Sequence, residues 1–256
     1  MTIIERLQQY KDLQPYKIAL IVDEEQYTYG QLYDAIISME FNNTSRIINL
    51  GQFNDGQKNK VLLIQSLSFV EQLLQWLWGL YKGYIPMVCH NEMDVAYIDE
   101  LARIISVEGV PTSADFGVLT SGTTGRPKPL WRSESSWREF FDIQNNIFYI
   151  NKDTKIFLHG SFSFTGVSNM VVAVLWSGGT VITTSSLRPI RWIQLIDKYH
   201  VDHIYALPTK LRLLVRHCKS KLDSVNYIIG GSQVLDRQLM EQLELICPNM
   251  EIGRAH

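Results

Sequence analysis

The chain has 256 residues, close to half of them apolar and a fifth charged, with 24 basic side chains against 26 acidic ones. That length suits one large α/β domain or two small ones, and a net charge of −2 offers no electrostatic hold on nucleic acid or an acidic membrane surface. Three scattered cysteines, Cys89, Cys218 and Cys247, form no CxxC pair and no metal spacing, so reduced, buried thiols in a cytoplasmic protein are expected.

In chain order, the first residues lack a basic stretch followed by an apolar run, so no leader is read there. Residues 18–22 and Tyr27-Thr28-Tyr29 flank a polar turn and predict a hairpin. Residues 30–50 carry Leu32, Ile36 and Ile37 at helical spacing and predict a helix. Residues 61–64 predict a buried strand, residues 67–81 a helix with Trp76 and Trp78 in its core, and residues 84–88 a strand weakened by Pro86. This most apolar region is broken by Gln65, Glu71, Gln72, Gln75 and Lys82, so no transmembrane segment is expected.

In the second half, Phe116-Gly117-Val118-Leu119 predicts a strand running into a Thr/Gly loop. Ser136 and Glu139 read as a capping box opening a helix to about Phe148. Strands then alternate with helices: strands at 156–158, 181–184, 203–207, 225–229 and 250–252, helices at 169–176, 189–199, 208–218 and 235–247. This alternation implies crossover connections and an α/β fold with a doubly wound, largely parallel sheet, whose ligands bind at the carboxyl ends of strands. Two Gly-rich segments fall at such ends, the loop after Leu119 and the turn Gly230-Gly231-Ser232. The histidines, among them His90, His159, His200, His203 and His217, show no metal spacing, and no metal ligands are read.

The loop Thr120-Ser121-Gly122-Thr123-Thr124-Gly125-Arg126-Pro127-Lys128 has the parts of an anion cradle. Its glycines let successive N–H groups turn inward, its hydroxyls add donors of little bulk, and Lys128 adds positive charge. It is not a P-loop, because Pro127 and Pro129 stand where that motif needs other residues.

Those nine residues resemble the phosphate-binding motif of the adenylate-forming (AMP-binding) superfamily, which includes acyl-CoA synthetases, luciferases and adenylation domains. Further elements resemble that family in its order: Tyr27-Thr28-Tyr29-Gly30-Gln31-Leu32, Gly79-Leu80-Tyr81-Lys82-Gly83-Tyr84-Ile85-Pro86, the segment from Ser161 to Gly166, and Gly230-Gly231-Ser232. The chain departs from the pattern at Pro129, where the family has glycine, and at Ser163, where acyl-CoA ligases commonly have histidine or an aromatic residue.

The resemblance implies activation of a carboxylic acid by ATP and Mg²⁺ as an acyl-adenylate, then transfer to coenzyme A or to a phosphopantetheine carrier. It assigns Thr120, Ser121, Thr123, Thr124 and Lys128 to phosphate binding, with Lys128, Thr123 and Thr124 catalytic, and Gly122 and Gly125 to loop shape. Gly230, Gly231 and Ser232 border adenine, and Ser163, Phe164, Thr165 and Gly166 line the acyl pocket. No acidic residue occurs from Ser161 to Val174 to hold an α-ammonium group, which argues against amino-acid substrates. Fatty acids lead, aryl acids loaded onto a carrier follow, and a nucleotide-binding remnant without catalysis is the third reading.

Residues 1–256 are expected to form part of an N-terminal AMP-binding domain. A first α/β part with the hairpin would occupy residues 1–115, and a second with the phosphate loop residues 116–252. Residues 253–256 are a candidate non-native tail, standing where the family's magnesium-binding glutamate motif and then its C-terminal lid domain would follow. Turnover by this chain alone is therefore not expected.

Overall fold

A computed structural model of the protein describes residues 1–41, 45–50, 60–120 and 128–254. Two compact units divide the chain. The first is Met1–Pro15, Gly30–Phe140 and Ser161–Ser168; the second is Tyr16–Tyr29, Phe141–Gly160 and Asn169–His256.

The first unit is built on a five-stranded sheet of order β3-β4-β5-β6-β7, comprising Arg46–Asn49, Lys60–Ile64, Ile85–Val88, Phe116–Leu119 and Pro129–Arg132. Its three inner strands run parallel and its outer two are antiparallel. Helix α3 (Phe69–Tyr81) is apolar nearly all round and correspondingly buried, with Ser68 accepting the Glu71 N–H as its cap. Helix α4 (Val95–Glu108) turns Ile98, Leu101 and Ile105 onto Val61, Leu63, Ile85 and Met87. A separate aromatic group packs Trp76, Phe116, Trp137 and Phe162 edge-on or stacked, with centroids 4.5–6.2 Å apart.

The second unit carries a seven-stranded sheet of order β12-β11-β10-β8-β9-β1-β2. The hairpin β1 (Ile18–Val22) and β2 (Glu25–Thr28) forms its one antiparallel pair among the described residues. The other strands are β8 (Lys155–Leu158), β9 (Thr180–Thr183), β10 (His203–Ala206), β11 (Tyr227–Gly230) and β12 (Glu251–Arg254). Helices α7 (Pro189–Lys198), α8 (Pro208–His217) and α9 (Arg237–Ile246) lay Trp192, Ile196, Leu211, Leu214, Leu239 and Leu243 on Phe157, Ile182, Ile204 and Ile228. Each such fully buried aliphatic side chain contributes about 1.5–3 kcal/mol. The crossover through α6 (Thr165–Trp176) steps from β8 to β9, opposite to the steps from β10 to β11 and β12. The strand order therefore reverses between β8 and β10, and right-handed crossovers leave a crevice at their carboxyl ends.

The expected α/β alternation holds, but as two mixed sheets. The helix expected over residues 30–50 stops early: α2 is Tyr29–Ser38, and the β-branched Ile47-Ile48 enters β3 beside β4. The capping box expected at Ser136 is displaced. Helix α5 is Glu134–Ile147, and the Ser133 hydroxyl takes the Ser136 N–H at 3.2 Å. Pro86 sits inside β5, where the ladder to β6 has the single register pair Met87↔Gly117 and a missing donor costs little. Helix α1 (Ile3–Leu13), capped by Thr2 and Glu5, was legible as T-x-x-E but escaped the apolar-period reading, as did α4 and β7. Gly253 and Arg254 belong to β12. Among the described residues, no helix is long and apolar enough to cross a membrane.

Candidate functional site

Strands β6 and β7 pair from Phe116↔Arg132 to Leu119↔Pro129 and form the stem of the Thr/Gly loop. Two further bonds close the stem: the Thr120 N–H donates to the Lys128 carbonyl at 3.0 Å, and the Lys128 N–H donates to the Thr120 hydroxyl at 2.9 Å. Thr120 and Lys128 therefore face each other where the Thr/Gly loop leaves and rejoins the stem, with the Lys128 side chain exposed. Ser121, Gly122, Thr123, Thr124 and Gly125, with Arg126 and Pro127, lie outside the described residues. Pro129, the departure from the family pattern, is the first residue of an edge strand, where no ladder bond needs its absent N–H. Gly117 lets the Trp131 ring cross the stem, since a Cβ there would lie 2.9 Å from Trp131 Cζ3 and 2.8 Å from Met87 Cε.

The segment from Ser161 to Gly166 also belongs to the first unit. Its anchor is Gln72 of α3, which is fully buried. Gln72 Oε1 accepts the Phe162 N–H and the Ser161 hydroxyl, both at 3.0 Å, while Nε2 donates to the Ser66 carbonyl at 2.6 Å and to Asn91 Oδ1 at 2.9 Å. The Ser161 and Ser163 hydroxyls are 2.8 Å apart, and Ser163 Oγ lies 3.0 Å from His90 Nδ1. Ser163 is buried, Phe164 and Gly166 are exposed, and Thr165 is half-buried at the start of α6. The Phe164 ring stacks on His90 with centroids 5.0 Å apart. Burial holds the His90 imidazole below its usual pKa, outweighing the nearby Glu92 charge, so the ring is neutral at pH 7.

His90 also lines a cavity of about 140 Å³ with Gln65, Ser66, Cys89, Asn91 and Met93, at the carboxyl ends of β4 and β5. Burial pushes the Cys89 thiol up to about 12, which removes it as a nucleophile. Gln72, His90 and Asn91 were not read as site residues, because only the tertiary structure brings these two separate chain segments to the Ser161–Ser163 turn.

In the second unit, Gly230-Gly231-Ser232 ends β11. The Gly231 N–H donates to the Ala206 carbonyl at 3.1 Å, and a Cβ at Gly231 would lie 2.8 Å from Tyr205 Oη. Ser232 adopts a left-handed φ of 59°, which turns the chain away from the strand. At the β8/β10 crevice, the Lys210 ammonium donates to the His159 carbonyl. Burial, then the Lys210 charge, holds His159 down to about 4, and burial also lowers Lys210. Sequence reading weighed His159 only as a metal ligand and passed over Lys210, since strand order alone marks that crevice.

Among the described residues, no group of three or more His, Cys, Asp or Glu could hold a metal ion.

The family described as AMP-binding enzyme matches residues 110–254, more than half the chain. A provisionally named long chain fatty acid-CoA ligase, VraA, of Staphylococcus epidermidis is 24% identical over 267 residues, covering 98% of this chain and 57% of the relative. The chain spans about half the length of the curated relatives it matches most fully. Among solved structures, the inhibitor-bound N-terminal domain of FACL13 from Mycobacterium tuberculosis superposes with a TM-score of 0.76 at 15% identity, covering 100% of this chain and 75% of that one. A fatty acyl-adenylate ligase from L. pneumophila, in complex with acyl adenylate and pyrophosphate, gives 0.70 at 18% identity, covering 95% and 52%. At those identities the likeness speaks for the fold.

Proposed function

The chain belongs to the AMP-binding enzyme family, and from that premise we propose that it is the nucleotide- and acid-binding part of an AMP-forming carboxylate–CoA ligase. In the proposed reaction a carboxylate oxygen attacks the α-phosphorus of ATP, the α–β phosphoanhydride bond breaks, and pyrophosphate leaves. The thiol of coenzyme A, losing its proton, then forms the S–C bond as AMP departs.

The observation that carries this reading is the closed β6–β7 stem. It holds Thr120 and Lys128 at the ends of a loop whose composition supplies hydroxyl, N–H and ammonium donors. Charge grows on the departing pyrophosphate, and preorganised donors stabilise it without reorganising at the moment of reaction. We assign Thr120, Ser121, Thr123, Thr124 and Lys128 to the phosphates, with Gly122 and Gly125 shaping the loop. Gly230, Gly231 and Ser232 are assigned to adenine, and Ser163, Phe164, Thr165 and Gly166 to the acid. No step is routed through Mg²⁺. The polar Ser161–Ser163–His90 row supports a second reading, an aryl acid loaded onto a phosphopantetheine carrier. A reaction that consumes ATP and coenzyme A fits a cytoplasmic setting.

Carboxylate-dependent ATP–pyrophosphate exchange tests the proposal. Fatty, aryl and amino acids are offered to the unaltered chain and to Lys128→Ala. Exchange with a fatty or aryl acid that falls 10²-fold or more in the variant supports it, that being roughly the worth of one such donor. Exchange indifferent to Lys128 removes the loop from the mechanism. No exchange with any acid is the outcome that the expected lack of turnover implies, and ATP binding to the unaltered chain, weakened in Lys128→Ala, then carries the comparison.

A further inference from the structure

Hydrogen-bond bookkeeping along the row Gln72–Ser161–Ser163–His90 fixes which protons point where. The Gln72 amide cannot be flipped: the Phe162 N–H can only donate to it and the Ser66 carbonyl can only accept from it. Its Oε1 therefore takes the one hydroxyl proton of Ser161. Ser161 Oγ, already accepting the Ser163 N–H at 3.2 Å, can meet Ser163 Oγ only as an acceptor, so Ser163 spends its own proton there. Ser163 Oγ then has only a lone pair to offer His90 Nδ1. His90 must carry its proton on Nδ1, and a neutral ring of that tautomer leaves Nε2 as a bare lone pair. The described residues give Nε2 no hydrogen bond.

A neutral acceptor held by the buried Ser163 hydroxyl and stacked on the Phe164 ring selects for a donor. The cavity that His90 lines, about 140 Å³ and partly open to solvent, is close to the roughly 150 Å³ that holds a benzene-sized guest. Its remaining wall mixes polar Gln65, Ser66 and Asn91 with Leu67, Cys89, Met93 and Ile98.

We propose that His90 Nε2 is the specificity determinant of the acid site, accepting a hydrogen bond from a hydroxyl group on a compact carboxylic acid, of which a hydroxylated aryl acid is the type. This rests on the reading of the Ser163 segment as the acid site.

The test needs no ATP, so a failure of the adenylation chemistry leaves its result intact. Long-range ¹⁵N–¹H spectra of the uniformly labelled chain report each histidine tautomer, with His90 identified by its loss in His90→Phe. The isomeric hydroxybenzoates and their methyl isosteres are then titrated in. The expected result is a protonated Nδ1 and a pyridine-type Nε2 whose resonance shifts with one hydroxybenzoate and not with its methyl partner. That acid binds about 5-fold more tightly than its isostere, the worth of one net hydrogen bond. His90→Phe, which keeps a ring against Phe164, brings the ratio to about one. A protonated Nε2, equal binding of the pair, no binding of either, or a preference that survives in His90→Phe overturns the proposal. Where His90→Phe fails to fold, loss of the resonance in His90→Gln supplies the assignment, and the tautomer reading on the unaltered chain decides the matter.

Discussion

Replacing Gln72 by leucine removes four hydrogen bonds from a fully buried side chain while nearly conserving its volume, so the cost is polar rather than a cavity. The Phe162 side chain is only 1% exposed, and its N–H loses a partner with no route to water. An orphaned buried donor costs about 1–3 kcal/mol. The Ser66 carbonyl, Asn91 and the Ser161 hydroxyl belong to residues with some exposure and recover part of their bonds from solvent, which brings the expected loss to about 2–4 kcal/mol. Urea unfolding followed by tryptophan emission measures it, with Trp76 and Trp137 stacked close to Phe162 or to each other. Gln72→Leu also releases the Ser161 proton, so the direction of the hydroxyl row is no longer imposed and the Nε2–H tautomer of His90 becomes accessible. A loss below about 0.5 kcal/mol, the scatter of surface substitutions, together with an unchanged His90 tautomer, would refute the whole chain of reasoning.

Three other perturbations probe the second unit. Tyr29→Phe deletes the hydroxyl that donates to the Gly179 carbonyl at 2.7 Å from a ring 1% exposed, and a stability loss of about 1–2 kcal/mol is expected by thermal denaturation. Gly231→Ala drives a methyl to 2.8 Å from Tyr205 Oη, with an expected cost of about 1–3 kcal/mol that Tyr205→Phe partly restores; if the double variant is no better than the single, the clash is not the cause. His159 titrates near 4 when folded and near 6.5 when unfolded, so between those values the unfolded chain holds the extra proton. Its contribution to stability is intact above pH 6.5 and is lost as the pH falls toward 4. His159→Gln should flatten the pH dependence of the denaturation midpoint in that window, and an unchanged slope would contradict the assignment.

Much of this architecture was open to reading because it depends on local chemistry. Short β-branched runs bounded by helices of ten to fourteen residues declare crossovers, and the crossovers declare parallel strands. The loop from Thr120 to Lys128 stood out in the sequence because its threonine, serine and glycine residues follow one another directly. Errors fell where a local signal was ambiguous or overruled. Residues 46–49 continue an apolar helical spacing but pair with β4, and Pro86 is tolerated within β5 because its ladder to β6 is so short.

What the sequence by itself determined is confined to contiguous segments: the composition of the Thr/Gly loop, the Gly-Gly-Ser turn, and the absence of any acidic residue from Ser161 to Val174. Only the tertiary structure decided that Gln72, Asn91 and His90 gather at Ser163, because hydrogen-bond partners 73 to 90 residues apart leave no periodic trace along the chain. Only the structure, too, gave the row of hydroxyls its direction. A proton's position follows from which neighbours can solely donate or solely accept, and that is a property of atoms brought within 3 Å of one another rather than of residues in order.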